Sequence, residues 1–327
     1  MDDDKEKFMK IAIIGTGMIA EEFLKVQQYI PEIEVTALCT TERSYEKGVA
    51  LQKKYGVDEV FSDYNLCLKQ GIFDTVYIAT PNHLHYEQAL NALINRKNVI
   101  CEKPFALHSE ELTILSNLAD QSKLILVEAI TNQYLENYKL IKNYLSKIGE
   151  IRVVEFNYSQ YSSRYDQFRD GIVLPAFDFQ KGGGALRDLN VYNIHLAVGL
   201  FGKPVDVKYF GNMKLDIDTS GILILDYSSF HVVCVAAKDS FGNNISTIQG
   251  EEGTIFIKGP TNTLPSIAIE KKGEKRKKFA ENSSSHRMYQ EFTEFVKMVE
   301  YKDFSYRDVM LQQSKAVLEI IDNALKA

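Results

Sequence analysis

Between residues 10 and 130 the chain alternates short, almost wholly apolar runs with single amphipathic stretches. "KIAIIG" (10–15), "EVTALCT" (34–40), "DTVYIAT" (74–80), "NVIC" (98–101) and "LILVEA" (124–129) have strand length and are apolar at nearly every position. "MIAEEFLKVQQY" (18–29), "SYEKGVALQKKYG" (44–56), "HYEQALNALINR" (85–96) and the stretch from Ser109 have helical patterning instead. Strands without a polar face must be covered on both sides, and a single helix between successive strands makes them parallel. Right-handed crossovers then give a doubly wound α/β sheet, which binds its ligands beyond the carboxyl ends of the strands.

The turn after the first strand narrows the ligand. Gly15-x-Gly17-x-x-Ala20 lies between that strand and the first helix, which is the position of a Rossmann dinucleotide fingerprint. The first glycine permits the turn, the second lets main chain approach a pyrophosphate, and the alanine keeps the helix close to the sheet. Gly15, Thr16, Gly17, Met18 and Ile19 are therefore expected to bind the cofactor. The second strand ends in Cys39, Thr40 and Thr41, where an NAD enzyme usually offers a carboxylate to the ribose. Thr40, Thr41 and Arg43 suit a 2′-phosphate better, so NADP is preferred over NAD, with Glu42 as the argument for NAD.

After residue 150 the pattern changes. "IRVVEFNYSQY", "VDVKYFG", "GILILDYSS", "HVVCVAAK" and "TIFIKG" follow one another with one helix, 184–201, among them, and two more helices, 286–301 and 306–326, close the chain. This predicts an α+β domain with an open, mostly antiparallel sheet. The expected division is 9–128 for the dinucleotide domain and 129–327 for a substrate and oligomerisation domain, with the C-terminal helix packing back on the first. The basic run 270–278 reads as an exposed hairpin tip. The acidic start, residues 1–8, is set aside from the fold argument.

Composition excludes several classes. A net charge of −6 offers no basic footprint for nucleic acid. No apolar stretch is long enough to span a bilayer, and "MDDDKEKFMK" lacks the form of a secretory signal. Cys39, Cys67, Cys101 and Cys234 are scattered without a CxxC pair, which implies buried, reduced thiols in a cytoplasmic protein. His83-x-His85 has no accompanying carboxylate or cysteine, and no metal is expected.

"NVICEKPFAL" (98–107) places Lys103 between Glu102 and Pro104 where the strand leaves the sheet, at the same edge as the glycine turn. Proline ends the strand and directs the chain outward. Here the sequence resembles the Gfo/Idh/MocA family of sugar and cyclitol oxidoreductases, whose hallmark is a dinucleotide turn followed by E-K-P. "ATPNHLHYEQA" (79–89) is similar to the family segment that lines the nicotinamide and its ribose, which adds Thr80, Pro81, Asn82 and His85 to the cofactor set. "GGGALRDLNVYNIH" (182–195) resembles the family's glycine cluster followed by Asp and then His or Tyr, matched by Asp188 and Tyr192. Their i, i+4 spacing predicts one helix face, with His195 at i+7. Tyrosine at 192 resembles the dihydrodiol dehydrogenase and glucose–fructose oxidoreductase branches. His195, where the family commonly has Asp, Asn or Gln, departs from the pattern, as does "VEAITNQYLENY" (127–138).

The resemblance implies hydride transfer between a nicotinamide and a carbinol or carbonyl carbon of a sugar, cyclitol or related polyol. Tyr192 is the expected proton donor and acceptor, and Lys103 the ammonium that favours its phenolate. Asp188 orients substrate hydroxyls or the lysine. Glu102 anchors the turn and the cofactor ribose. His195 and Arg164 are candidate substrate contacts. The resemblance also implies a homodimer or homotetramer formed through the C-terminal sheet. The rival class is a regulator of the same fold that binds NAD(P) without turnover.

Overall fold

The computed structural model describes residues 9–284 and 286–326. The acidic start at residues 1–8 lies outside them. The chain divides into two compact units. One holds the described residues up to Ala129 together with Met288–Gln312, and the other holds Ile130–Arg287 with the residues from Gln313.

In the first unit, β1 (Met9–Ile14), α1 (Met18–Gln27), β2 (Ile33–Cys39), α2 (Tyr45–Tyr55), β3 (Glu59–Phe61), α3 (Tyr64–Gln70), β4 (Thr75–Ile78), α4 (His85–Ile94), β5 (Asn98–Glu102), α5 (Ser109–Ser122) and β6 (Leu126–Ala129) follow in order. The six strands pair in parallel in the order β3-β2-β1-β4-β5-β6. Every residue of β4 and β6 is buried, as continuous apolar strands covered on both faces require. Strand order reverses between β1 and β4, so the crevice beyond their carboxyl ends is the binding position of this fold. Local signals set the helix ends: Asp63 accepts the Leu66 amide at 2.7 Å to start α3, and left-handed Gly56 ends α2.

The second unit runs through α6 (Glu136–Leu145), β7 (Ile151–Ser159), α7 (Tyr165–Arg169), α8 (Val191–Phe201), β8 (Asp206–Lys214), β9 (Ile217–Asp226), β10 (His231–Ala237), β11 (Ile245–Gly250), β12 (Gly253–Lys258), β13 (Ser266–Lys271) and β14 (Lys277–Phe279). Its eight strands are ordered β14-β13-β12-β11-β7-β10-β9-β8, and only β7 and β10 pair in parallel. Alternation is now visible. Leu223, Leu225, Val232, Cys234, Val154, Phe156 and Ile248 are buried, while their neighbours Val153, Phe210 and Ile222 on the other face are 44–60% exposed. The basic run 270–278 forms the β13–β14 hairpin, its charges paired as Lys271–Glu274 and Arg276–Glu270.

Two further helices, α9 (Met288–Glu300) and α10 (Phe304–Lys326), close the described chain. Phe292 of α9 packs on Phe23 of α1 and Tyr77 of β4, at centroid distances of 4.3 and 5.1 Å, within the first unit. All four cysteines are buried and unbridged. Among the described residues no helix is long and apolar enough to cross a membrane.

The expected single helix at 184–201 is two structures. Leu186–Asn190 is a π-helical turn, and regular α-helix begins only at Val191. Asp188 therefore lies in the π turn, which takes more residues per revolution, and Tyr192 in the α-helix that follows it.

Candidate active site

The glycine turn behaves as its spacing requires. Gly15 has φ +112°, and a β-carbon there would lie 2.6 Å from the Ala79 carbonyl oxygen, so only glycine fits between the ends of β1 and β4. Gly17 caps α1 with no side chain on the first-turn amides, and a β-carbon there would meet nothing within 4 Å. Open main chain at a helix N-terminus is suited to an anionic group. A cleft of about 700 Å³ extends from this turn between the ends of β2 and β4. That volume and the open cradle fit a dinucleotide.

Gly15, Thr16, Gly17, Thr40, Thr41, Thr80 and Pro81 line the cleft. Met18 and Ile19 start α1 outside that lining, as do Asn82 and Arg43. Arg43 is exposed on a 3₁₀ turn, Glu42–Ser44, whose winding turns Ser44 inward instead. Lys47, one helical turn further on, also lines the cleft, and the Thr41 and Ser44 hydroxyls lie 3.1 Å apart. Sequence reasoning missed Ser44 and Lys47. Their signal was the hydroxyl and the lysine three residues apart at the start of α2. Tyr64 and Gln88 were also missed: the Tyr64 hydroxyl donates to the Gln88 carbonyl at 2.6 Å, and Thr80 Oγ1 donates to Gln88 Oε1 at 2.6 Å.

His85 is not part of the cleft lining. It is fully buried, with Nδ1 2.8 Å from the Pro104 carbonyl and Nε2 2.9 Å from the Thr80 carbonyl, so both ring nitrogens are engaged. Burial pushes its pKa down, opposed by the two carbonyls, which favour the protonated ring. His83 is exposed, so the two histidines do not converge. Glu102 is 9% exposed and accepts the Tyr77 hydroxyl at 2.6 Å, a contact that ties it to β4 rather than to the lining of the cleft.

These contacts explain the turn that carries Lys103. Glu102 before it is tied to Tyr77, the Pro104 carbonyl to His85, and the Phe105 amide donates to Glu128 Oε1 at 3.0 Å. The Lys103–Pro104 peptide is cis. Lys103 itself is half-buried at the carboxyl end of β5. A lysine meant only for solvent needs no such support.

In the second unit, the π turn is held from its start. Asp218 Oδ2 accepts the Leu186 amide and the Tyr209 hydroxyl, each at 2.6 Å. Burial pushes the Asp218 carboxyl pKa up, opposed by these hydrogen bonds. Gly184, at φ +101°, is required because any β-carbon would collide with the Asp218 carboxylate. Asp188 in the turn keeps 32% side-chain exposure, and its Oδ2 is 2.8 Å from Lys238 Nζ. Tyr192 is 5% exposed, with its ring edge-on to Tyr158 at 5.7 Å. Its helix is tied down by amides: Asn132 donates to the Tyr192 carbonyl at 2.9 Å, and Asn193 to the Val235 carbonyl at 3.0 Å.

His195 is completely buried, with Nδ1 3.4 Å from Gln313 Nε2. Arg164 is exposed at the start of the short α7, away from these groups' hydrogen bonds. Lys238 was missed altogether, since a lysine after an apolar strand resembles any surface charge.

Comparison with known proteins shows the family. Residues 9–129 match the Gfo/Idh/MocA oxidoreductase family, NAD-binding Rossmann fold, and residues 140–256 match the Gfo/Idh/MocA C-terminal domain. The chain is 35% identical over 319 residues, 97% of its length and 96% of the other's, to scyllo-inositol 2-dehydrogenase (NADP(+)) IolU of Bacillus subtilis. It is 26% identical to trans-1,2-dihydrobenzene-1,2-diol dehydrogenase of Xenopus laevis, over 78% of each chain. The fold is shared with KijD10, a 3-ketoreductase from Actinomadura kijaniata in complex with NADP and TDP-benzene, at a TM-score of 0.84 and 21% identity, covering 97% and 98% of the two chains. The chain is therefore an NAD(P)-binding oxidoreductase and belongs to the Gfo/Idh/MocA family.

Proposed function

We propose that this protein is an NADP-dependent dehydrogenase of a cyclitol or closely related polyol. The bound nicotinamide supplies the hydride acceptor or donor. Gly15 and Gly17 receive the pyrophosphate on main chain, and the Thr41 and Ser44 hydroxyls with the Lys47 ammonium hold a ribose 2′-phosphate. Lys103 turns its ammonium to the reacting oxygen and favours loss of its proton. Tyr192 takes up or returns that proton, and Asp188 accepts hydrogen bonds from neighbouring hydroxyls.

The observation that carries the reading is the Lys103 turn, fixed by Tyr77, His85 and Glu128 through Glu102, Pro104 and Phe105 on either side of it. Such preorganisation serves a charge that must act in one place. The identity to an NADP-linked inositol dehydrogenase along the whole chain supports the substrate class. A second copy of this chain is the occupant proposed for the open sheet face bearing Val153, Phe210 and Ile222. Sedimentation of Phe210→Lys against the wild type tests it.

The function is tested by incubating the protein with NADP or NAD and a panel of cyclitols, sugars and diols that includes scyllo-inositol. Reduced nicotinamide should form with a cyclitol and NADP. Binding of NADPH with no turnover of any member would overturn the reading in favour of a cofactor-sensing protein.

A further inference from the structure

The second unit contains a buried cation. Lys238 follows β10 and is 2% exposed, with its ammonium 4.5 Å from the centroid of the Phe177 ring. It donates to the Ala176 carbonyl at 2.5 Å and pairs with Asp188 Oδ2 at 2.8 Å. Lysine is almost never fully buried unless paired, because an ammonium outside water is costly. Its counter-charge is not hidden to the same degree: Asp188 keeps 32% of its side-chain exposure. The pair has a closed half and an open half.

That asymmetry separates two explanations. A buried ion pair contributes little to stability compared with apolar residues of similar volume. A stabilising role would also give no reason to leave the anion facing out. A carboxylate gripped from behind by a fixed ammonium, however, is held in one orientation at the surface it faces. Ionised, it only accepts hydrogen bonds, so the groups it selects are donors such as hydroxyls. Asp218 meanwhile fixes the main chain of the same turn at Leu186. Backbone and side chain are thus pinned separately, as accurate substrate orientation demands.

We propose that Lys238 is a positioning residue for substrate recognition, fixing the Asp188 carboxylate from inside the second unit so that it accepts hydrogen bonds from the hydroxyls of a polyol. This deepens, and rests on, the reading of Asp188 as a substrate contact. Lys238 touches neither substrate nor cofactor, and its effect passes through Asp188.

The test is steady-state kinetics on Lys238→Met, Lys238→Arg, Asp188→Asn and the Lys238→Met/Asp188→Asn double variant, using the polyol that the wild type oxidises. Each variant is also titrated with NADPH and melted. Lys238→Met should raise the polyol KM at least about tenfold, with kcat within about threefold and NADPH affinity unchanged. Lys238→Arg, which keeps the charge but shifts it, should raise KM by about threefold. In the Asp188→Asn background the loss of Lys238 should add nothing, since the group it positions is gone. If Lys238→Met does not fold, the arginine variant decides. An unmoved KM in the folded variants, or equal effects in both backgrounds, overturns the proposal while leaving the dehydrogenase reading intact. A wild type that binds NADPH but oxidises no polyol overturns both.

Discussion

The two units hold their candidate site residues by different physical means. In the first, main chain does most of the work: an open helix start, a glycine turn against the Ala79 carbonyl, and a lysine turn fastened through its peptide groups. In the second, buried side-chain charges do it, with Asp218 holding the π turn and Lys238 holding Asp188. The difference matches the ligands proposed for them. A dinucleotide offers an invariant pyrophosphate that amides recognise regardless of side chain. A polyol offers hydroxyls whose arrangement distinguishes one substrate from another, and their recognition requires placed acceptors.

The sharpest break of this comparison is at Lys103. Lys103→Met should lower kcat by about a thousandfold, as expected for a group acting on the proton in transit, while NADPH titration stays within about twofold of wild type. Loss of NADPH binding instead would make Lys103 a cofactor residue.

The two strained glycines come next, because they should fail differently. Gly184→Ala forces a β-carbon onto Asp218 and should destabilise the protein by about 2–4 kcal/mol in denaturant unfolding. Gly15→Ala meets a carbonyl instead, and should be read mainly as weakened NADPH binding. Equal loss of NADPH affinity in both would erase the distinction between the units.

A smaller effect discriminates the cofactors. Lys47→Ala should raise the KM for NADP by about tenfold and leave that for NAD nearly unchanged, since one charge-assisted contact to phosphate is removed. Arg43→Ala should do neither. Smaller again, Tyr209→Phe removes one of the two hydrogen bonds on Asp218 Oδ2 and should cost about 1–2 kcal/mol of unfolding free energy.

The pH dependence of melting should show the least. The folded state depresses the pKa of His85, so its contribution is present above the ordinary value near 6.5 and is lost as the pH falls through the depressed one. The melting temperature should fall on acidification, and His85→Gln should flatten that decline. An unchanged acid limb would show that His85 keeps its proton in the fold.

Much of the first unit was legible because its determinants are local. Strand runs, the spacing of Gly15 and Gly17, and the proline after Lys103 each act within a few residues. Side-chain placement was less legible where a short turn redirects side chains. One 3₁₀ turn exchanged Arg43 for Ser44 and Lys47, and His85 was drawn into the interior by two carbonyls. In the second unit, β11 and β13 escaped notice: "ISTIQG" and "SIAIEK" are short, and half-polar on the face left open.

The sequence by itself determined the order of elements in the first unit, its parallel sheet, the dinucleotide turn and the family, since apolar periodicity and glycine placement are properties of neighbouring residues. Tertiary structure alone decided that the helix of Tyr192 starts with a π turn, that His195 is interior, and that Lys238 stands behind Asp188. Those outcomes depend on groups brought together from distant strands. A charge reveals whether it is a partner or a surface ornament only when the chain around it has closed.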